Sequence, residues 1–200
     1  MIRLKAWLLA MSLVLFAVPV WAQQQPKLTL SWQDNSNNED GFKIQRSNDQ
    51  AGPWDTIFQS VGANVIEYVD LNLNQGTNYC YRVAAFNVKG DSAWDGPACK
   101  FTQAQLAVST AFIDNSSGTV TSNPTGIDCG TTCSAWFDGA AQVTLAAFPA
   151  TGSVFKGWSG ACSGTGPCVV TMDGAKSVTA TFEIPAPVPP SGLALEAGIQ

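Results

Sequence analysis

Two long stretches of this chain alternate apolar and polar residues with a period of two and break at turn residues. In the first, Leu28, Leu30 and Trp32 alternate with Thr29 and Ser31, and Phe42, Ile44 and Arg46 alternate with Lys43 and Gln45. Ile57 and Phe58 follow a Gly52-Pro53 turn, and Val65–Val69, Tyr79–Phe86 and Ala98–Phe101 complete the set. Short alternating runs at this spacing predict a β-sandwich over about residues 26–103. The second stretch, about residues 104–184, predicts strands at Leu106–Ile113, Gly118–Ser122, Ser134–Phe137, Gln142–Phe148, Ser153–Trp158, Val169–Met172 and Lys176–Phe182. No helical period competes with this reading in either stretch, so the fold class is all-β.

Individual residues sharpen the first unit. Trp32 closes a strand with its ring on the core side. Tyr79 sits where its hydroxyl can bond back to the preceding turn, as a tyrosine corner does. Asn87 and Gly90 supply a hairpin turn. Cys80 and Cys99 flank that hairpin symmetrically, about a centre between Lys89 and Gly90. Opposite positions on paired strands lie within disulfide reach, so a Cys80–Cys99 bond is expected on the face away from Tyr79, Tyr81 and Val83.

The runs Leu30-Ser31-Trp32, Asp34-Asn35-Ser36, Asn38-Glu39-Asp40-Gly41-Phe42, Leu73, Gly76-Thr77, Tyr79, Tyr81-Arg82-Val83 and Asn87 are spread over the whole unit. On these residues it resembles a bacterial fibronectin type III domain. The resemblance implies a seven-stranded sandwich serving as spacer or adhesive surface. One departure matters: such domains have a strand before the Leu28–Trp32 run, and only Gln23 to Lys27 would precede it here once a signal segment, residues 1–22, is cleaved. That leaves a sheet edge open. The segment Pro190-Ser191-Gly192-Leu193-Ala194-Leu195-Glu196 resembles such a first strand and is a candidate to pair with the edge, in cis or from another copy, the other reading being a disordered Pro-rich tail. The acid- and amide-rich loop Asp34–Asp40 has oxygen ligands, but it lacks the glycine and terminal glutamate of a calcium loop. Asx turns account for it.

The second unit carries Gly118-Thr119-Val120-Thr121-Ser122-Asn123-Pro124, then Gly126-Ile127-Asp128-Cys129-Gly130-Thr131-Thr132-Cys133, then Gly152–Gly160 with Cys162-Ser163-Gly164, and ends on Ser177–Phe182. This resembles the divergent internalin-type B-repeat, which implies a small β-rich stalk or interaction module. The resemblance also implies local pairing, Cys129 with Cys133 and Cys162 with Cys168. Crossed pairing and a four-thiolate zinc site are the alternatives left by the residues themselves, although the spacings are not zinc knuckles. Phe155 and Trp158 are expected as core anchors.

The remaining features bound location and chemistry. Residues 1–22 read as a signal segment: Arg3 and Lys5, an apolar core from Trp7 to Val18, then the small-x-small site Val20-Trp21-Ala22. No later run is long enough for a membrane helix, so no membrane span is expected after cleavage. Six cysteines in an exported chain favour disulfides. Without Arg3 and Lys5 the chain keeps 8 basic against 15 acidic residues, a net charge of −7, which argues against nucleic acid as a partner. There is no histidine, so Ser-His and Cys-His nucleophiles and His-based metal sites are excluded. No cofactor is expected, and a hydrolase using paired carboxylates is the weakest reading.

The expected domains are therefore 1–22 (signal), 26–103, 104–184 and a Pro-rich tail, 185–200. The expected function is that of a non-catalytic, secreted, periplasmic or surface module for adhesion, interaction or spacing. The partner is an unknown protein or polysaccharide. The alternative is a carbohydrate-binding accessory protein, for which Trp54, Trp94 and Trp136, in or near turns, are the candidate ligand-facing aromatics.

Overall fold

A computed structural model describes residues 25–55, 57–189 and 191–192. The expected signal segment and the strand-like stretch of the tail, residues 193–196, lie outside the described residues. The all-β expectation holds: fifteen strands and no helix make up the described chain.

The first unit pairs β1 (Leu28–Ser31) with β4 (Glu67–Asp70) in a two-stranded sheet. Facing it is a sheet of β2 (Gly41–Ser47), β3 (Gln59–Gly62), β5 (Asn78–Asn87), β6 (Gly90–Asp91) and β7 (Asp95–Phe101), in which β2 and β7 both pair with β5. Alternation decides what meets between them. Ile44, Tyr79 and Tyr81 from one sheet pack with Leu28, Leu30 and Tyr68 from the other, beside Leu73 and Trp32. Trp32 also stacks at 5.5 Å on Phe42. Asn74 N donates to the Tyr79 hydroxyl at 3.2 Å, which is the expected tyrosine corner. The Ile57-Phe58 run is not a strand; the strand follows it at Gln59–Gly62. Phe58 instead bonds Ile44 O through its N–H and offers its ring to the Arg46 guanidinium, 4.0 Å away.

The second unit is also two facing sheets. One holds β9 (Gly118–Asn123), β10 (Asp128–Cys129), β12 (Gln142–Pro149) and β14 (Cys168–Thr171) in the order β10-β9-β12-β14. The other holds β8 (Ala104–Phe112), β11 (Ser134–Phe137), β13 (Val154–Gly160) and β15 (Lys176–Glu183) in the order β11-β8-β15-β13. Its centre is the parallel pair β15–β8, in register from Lys176↔Leu106 to Phe182↔Phe112. Leu106, Val108, Val178, Ala180 and Phe182 meet Val120, Val143, Leu145 and Val170 in one core. Burying a side chain of this size is worth about 1.5–3 kcal/mol. Trp158 is buried there with Phe155 at 4.8 Å, and its indole N–H donates to Gly166 O at 3.1 Å.

Three disulfides staple the units: Cys80–Cys99, Cys129–Cys133 and Cys162–Cys168. Cys80 and Cys99 face each other in the β5–β7 register. In the second unit each bond is local, closing a turn at one end of the core.

The units join through only Thr102 and Gln103, between β7 and β8. The joint is bonded on both sides. Thr102 Oγ1 donates to Asn74 O at 2.6 Å and accepts from Thr77 N at 3.0 Å. Gln105 N donates to Gln75 Oε1 at 2.9 Å, and Gly76 N to Gln103 O at 3.3 Å. Gly76 lies against the Asp173-Gly174 turn of the second unit at φ +61°, where a Cβ would come within 2.3 Å of Gly174 N. Only glycine allows that backbone contact.

Candidate functional site

Three features of the first unit could serve binding or chemistry. The first is internal. Arg46 on β2 reaches Asp70 at the end of β4 (Nη1 to Oδ2, 3.0 Å), and the Tyr81 hydroxyl of β5 donates to the same oxygen at 2.7 Å. The Arg46 guanidinium lies over the Phe58 ring and 5.5 Å from the Tyr79 centroid. Burial first, then the bond to Asp70 and its charge, push the Tyr81 phenol well above its ordinary pKa. A neutral, donating Tyr and a carboxylate held by Arg46 form a clamp between sheets. They supply no activated nucleophile.

The second feature gathers two of the expected aromatics. Arg82 points outward from β5, and its guanidinium lies 4.6 Å from the Trp54 ring and 4.8 Å from the Trp94 ring. Arg82 Nε donates to Gln45 Oε1 at 2.7 Å, which fixes the planar group between the indoles. Trp54 and Trp94 are thus brought together, though forty residues apart, because their loops flank the same outer face. Both are half-buried. Trp136 is not with them. It sits on β11 of the second unit, opposite Gln105, and lines the crevice between units with Lys27, Lys100, Gln103 and Asp138. Arg82 and Gln45 had no marker in the chain beyond outward positions on strands.

The third feature is a groove of about 480 Å³ on the open side of the sandwich. Leu28, Leu30 and Trp32 form one wall, Tyr81 and Val83 the floor, and Ala98 to Lys100 of β7 the other wall. Among the described residues β1 has a single partner, β4, and within them its second edge is unpaired. The ladder shows which groups face out. Trp32 N bonds Ile66 O at 3.1 Å, so Leu30 and Leu28, two and four residues back, also face β4. The N–H and C=O of Thr29 and Ser31 point to the open side, and both residues are exposed. Trp32 Nε1 is buried in this wall with no hydrogen-bond partner.

The acid-rich loop before β2 is closed by an Asx turn, Ser36 N to Asp34 Oδ1 at 3.0 Å.

Similarity to known proteins is uneven along the chain. Residues 108–186 match the family model of the divergent InlB B-repeat domain. The B-repeat match therefore covers the second sandwich from inside β8 to just past β15. A crystal structure of chicken CNTN1 FN1-FN3 domains is similar at 18% identity, covering 76% of this chain and 51% of that one, with a TM-score of 0.31. This chain thus spans about half the length of that structure. The two-sheet description of the first unit rests on strand pairing and not on that likeness. A search of curated proteins finds no match.

Proposed function

We propose that this protein is a non-catalytic, exported module of a bacterial cell envelope or secretome, acting in interaction, adhesion or spacing. The observation that carries the reading is the joint. Two disulfide-stapled sandwiches meet through two residues, with hydrogen bonds and a glycine contact from both sides. Such a joint holds two surfaces at a set distance and orientation, which suits a stalk or a two-faced binding unit. The B-repeat match supports an interaction role, and three disulfides suit an oxidising compartment.

The runner-up is a carbohydrate-binding accessory protein. It rests on Trp54 and Trp94, which share one outer face. Each already has Arg82 against its ring, which leaves less aromatic surface for a sugar than a bare platform would offer.

The test is retention of purified, oxidised protein on envelope fractions with and without protease treatment, beside depletion onto chitin, cellulose and peptidoglycan. Protease-sensitive retention without polysaccharide depletion supports the interaction reading. Depletion onto a polysaccharide that Trp54→Ala abolishes moves the reading to the runner-up. Release of soluble sugars from any of the polymers overturns the non-catalytic reading.

A further inference from the structure

We propose that the open groove of the first sandwich is filled by residues 193–199 of a second copy of this chain, added as a β-strand beside β1. The inference deepens the interaction reading by naming a partner, and it rests on that reading only for its setting.

The groove has the chemistry of a strand site. Its β1 wall offers two N–H donors and two C=O acceptors, from Thr29 and Ser31, with no partner strand among the described residues. Leu28 and Leu30 beneath them are half-buried, and among the described residues no strand covers that side. The buried, unpartnered Trp32 Nε1 is a further donor in the wall. An extended peptide satisfies such an edge with its backbone and fills the groove with alternate side chains.

One segment of the chain has the complementary pattern. In Leu193-Ala194-Leu195-Glu196-Ala197-Gly198-Ile199, the residues Leu193, Leu195, Ala197 and Ile199 fall on one face at period two. The other face carries small residues and Glu196, its single charge. Seven residues in a strand cover roughly 23 Å, enough to run the length of β1 and its flanks.

Polarity selects a second copy over the same one. β15 starts beside the joint, with Lys176 opposite Leu106, and runs away from it to Glu183. The tail therefore leaves at the far end, roughly 25 Å from the first sandwich. The sequence from 184 to 192 carries Pro185, Pro187, Pro189 and Pro190, and nine residues of a proline-rich linker reach about 28 Å at most in extended form, which a return path would spend retracing β15. A tail that instead continues outward meets the next copy end on. β1 begins at Leu28, beside the joint, where Leu28 shares a crevice with Lys100 and Thr102, and runs outward to Ser31. A strand arriving from outside thus runs towards the joint and lies antiparallel to β1, the pairing its free edge accepts. The contact is head-to-tail and does not close on a pair, so it propagates.

The test is sedimentation velocity of the oxidised protein, residues 23–200, between about 1 and 100 μM, where mass action separates oligomer from monomer. The expected result is a sedimentation coefficient that rises with concentration and falls back when a synthetic peptide of residues 191–200 is added in excess. Leu195→Asp spoils the tail, and Thr29→Pro removes an N–H from the open edge while leaving the β4 bonds of Leu28 and Leu30. Each variant alone should be monomeric, with an unchanged unfolding midpoint. Mixed together they should form a dimer and nothing larger, because one intact groove meets one intact tail. A wild-type monomer at every concentration overturns the proposal. A monomer whose unfolding midpoint drops with Leu195→Asp also overturns it, since the tail then docks on its own chain. Either failure leaves the envelope-retention assay free to succeed, so the interaction reading is judged separately.

Discussion

Tyr81 donates its hydroxyl hydrogen to Asp70 Oδ2 at 2.7 Å, inside the first sandwich, and Arg46 Nη1 meets the same oxygen at 3.0 Å. Asp70 is only 3% exposed, so water cannot replace a lost donor. Tyr81→Phe leaves the shape of the core and removes that donor. The expected cost is about 2 kcal/mol, the usual range for a bond to a charged group. Urea unfolding of the variant beside the wild type checks it.

The same bond sets an alkaline limit. The Tyr81 phenol is raised in the folded protein, by burial first and by Asp70 second. The unfolded chain loses that proton at about pH 10, while the folded chain still holds it. The stabilising contribution is therefore complete below pH 10 and declines as pH rises above it. The difference in unfolding free energy between wild type and Tyr81→Phe should shrink through that window. A difference that stays constant would mean that Tyr81 ionises as freely folded as unfolded.

Gly76 is the backbone hinge pin between the units. Its φ of +61° and the 2.3 Å approach of a would-be Cβ to Gly174 N make alanine doubly unwelcome there. The left-handed backbone alone costs about 1–2 kcal/mol. The contact with Gly174 can be relieved only by moving the units apart. Gly76→Ala should increase the radius of gyration in small-angle scattering while both cores stay folded by near-ultraviolet dichroism.

Disulfide loss should be graded by loop length. Cys80–Cys99 spans 19 residues and Cys129–Cys133 spans 4. Chain entropy assigns about 3 kcal/mol to the longer loop and about 2 kcal/mol to the shorter. Double alanine variants measured by urea unfolding should follow that order, the first acting on the first sandwich and the second on the second.

The indole–guanidinium stack gives a direct contrast between structural and ligand roles. Trp54→Ala removes one face of the Arg82 sandwich and should cost about 1 kcal/mol. Polysaccharide retention should be unchanged by it. Arg82→Lys should lose similar stability, because an ammonium cannot fill the planar slot or keep the Gln45 bond in the same geometry.

Strand positions were legible where one face of a strand is buried. Val178, Ala180 and Phe182 alternate in the sequence because all three enter one core. The Cys80–Cys99 pair was legible from symmetry about a hairpin, which follows from antiparallel register. What escaped were features without a period. β10 is two residues, Asp128–Cys129, too short to alternate. β7 starts at Asp95, three residues ahead of the expected Ala98–Phe101 run, through Gly96 and Pro97, which carry no alternation. The Arg46–Asp70–Tyr81 clamp and the Trp54–Arg82–Trp94 stack join residues from three separate segments, and no local pattern marks them. An unpaired edge at β1 was an expectation from the lack of a strand ahead of Leu28, but which backbone groups point away from β4 depends on the β1–β4 register.

The parallel pair β8–β15 also decides how the second sandwich answers tension. Its chain enters at Ala104, beside the joint, and leaves at Glu183, at the opposite end, on adjacent strands that run the same way. A pull between these points slides the two strands past each other, so the rungs from Lys176↔Leu106 to Phe182↔Phe112 share the load. A hairpin pulled from its open end would instead unzip rung by rung. Along that line the sandwich meets a pull by shear across all of these rungs at once.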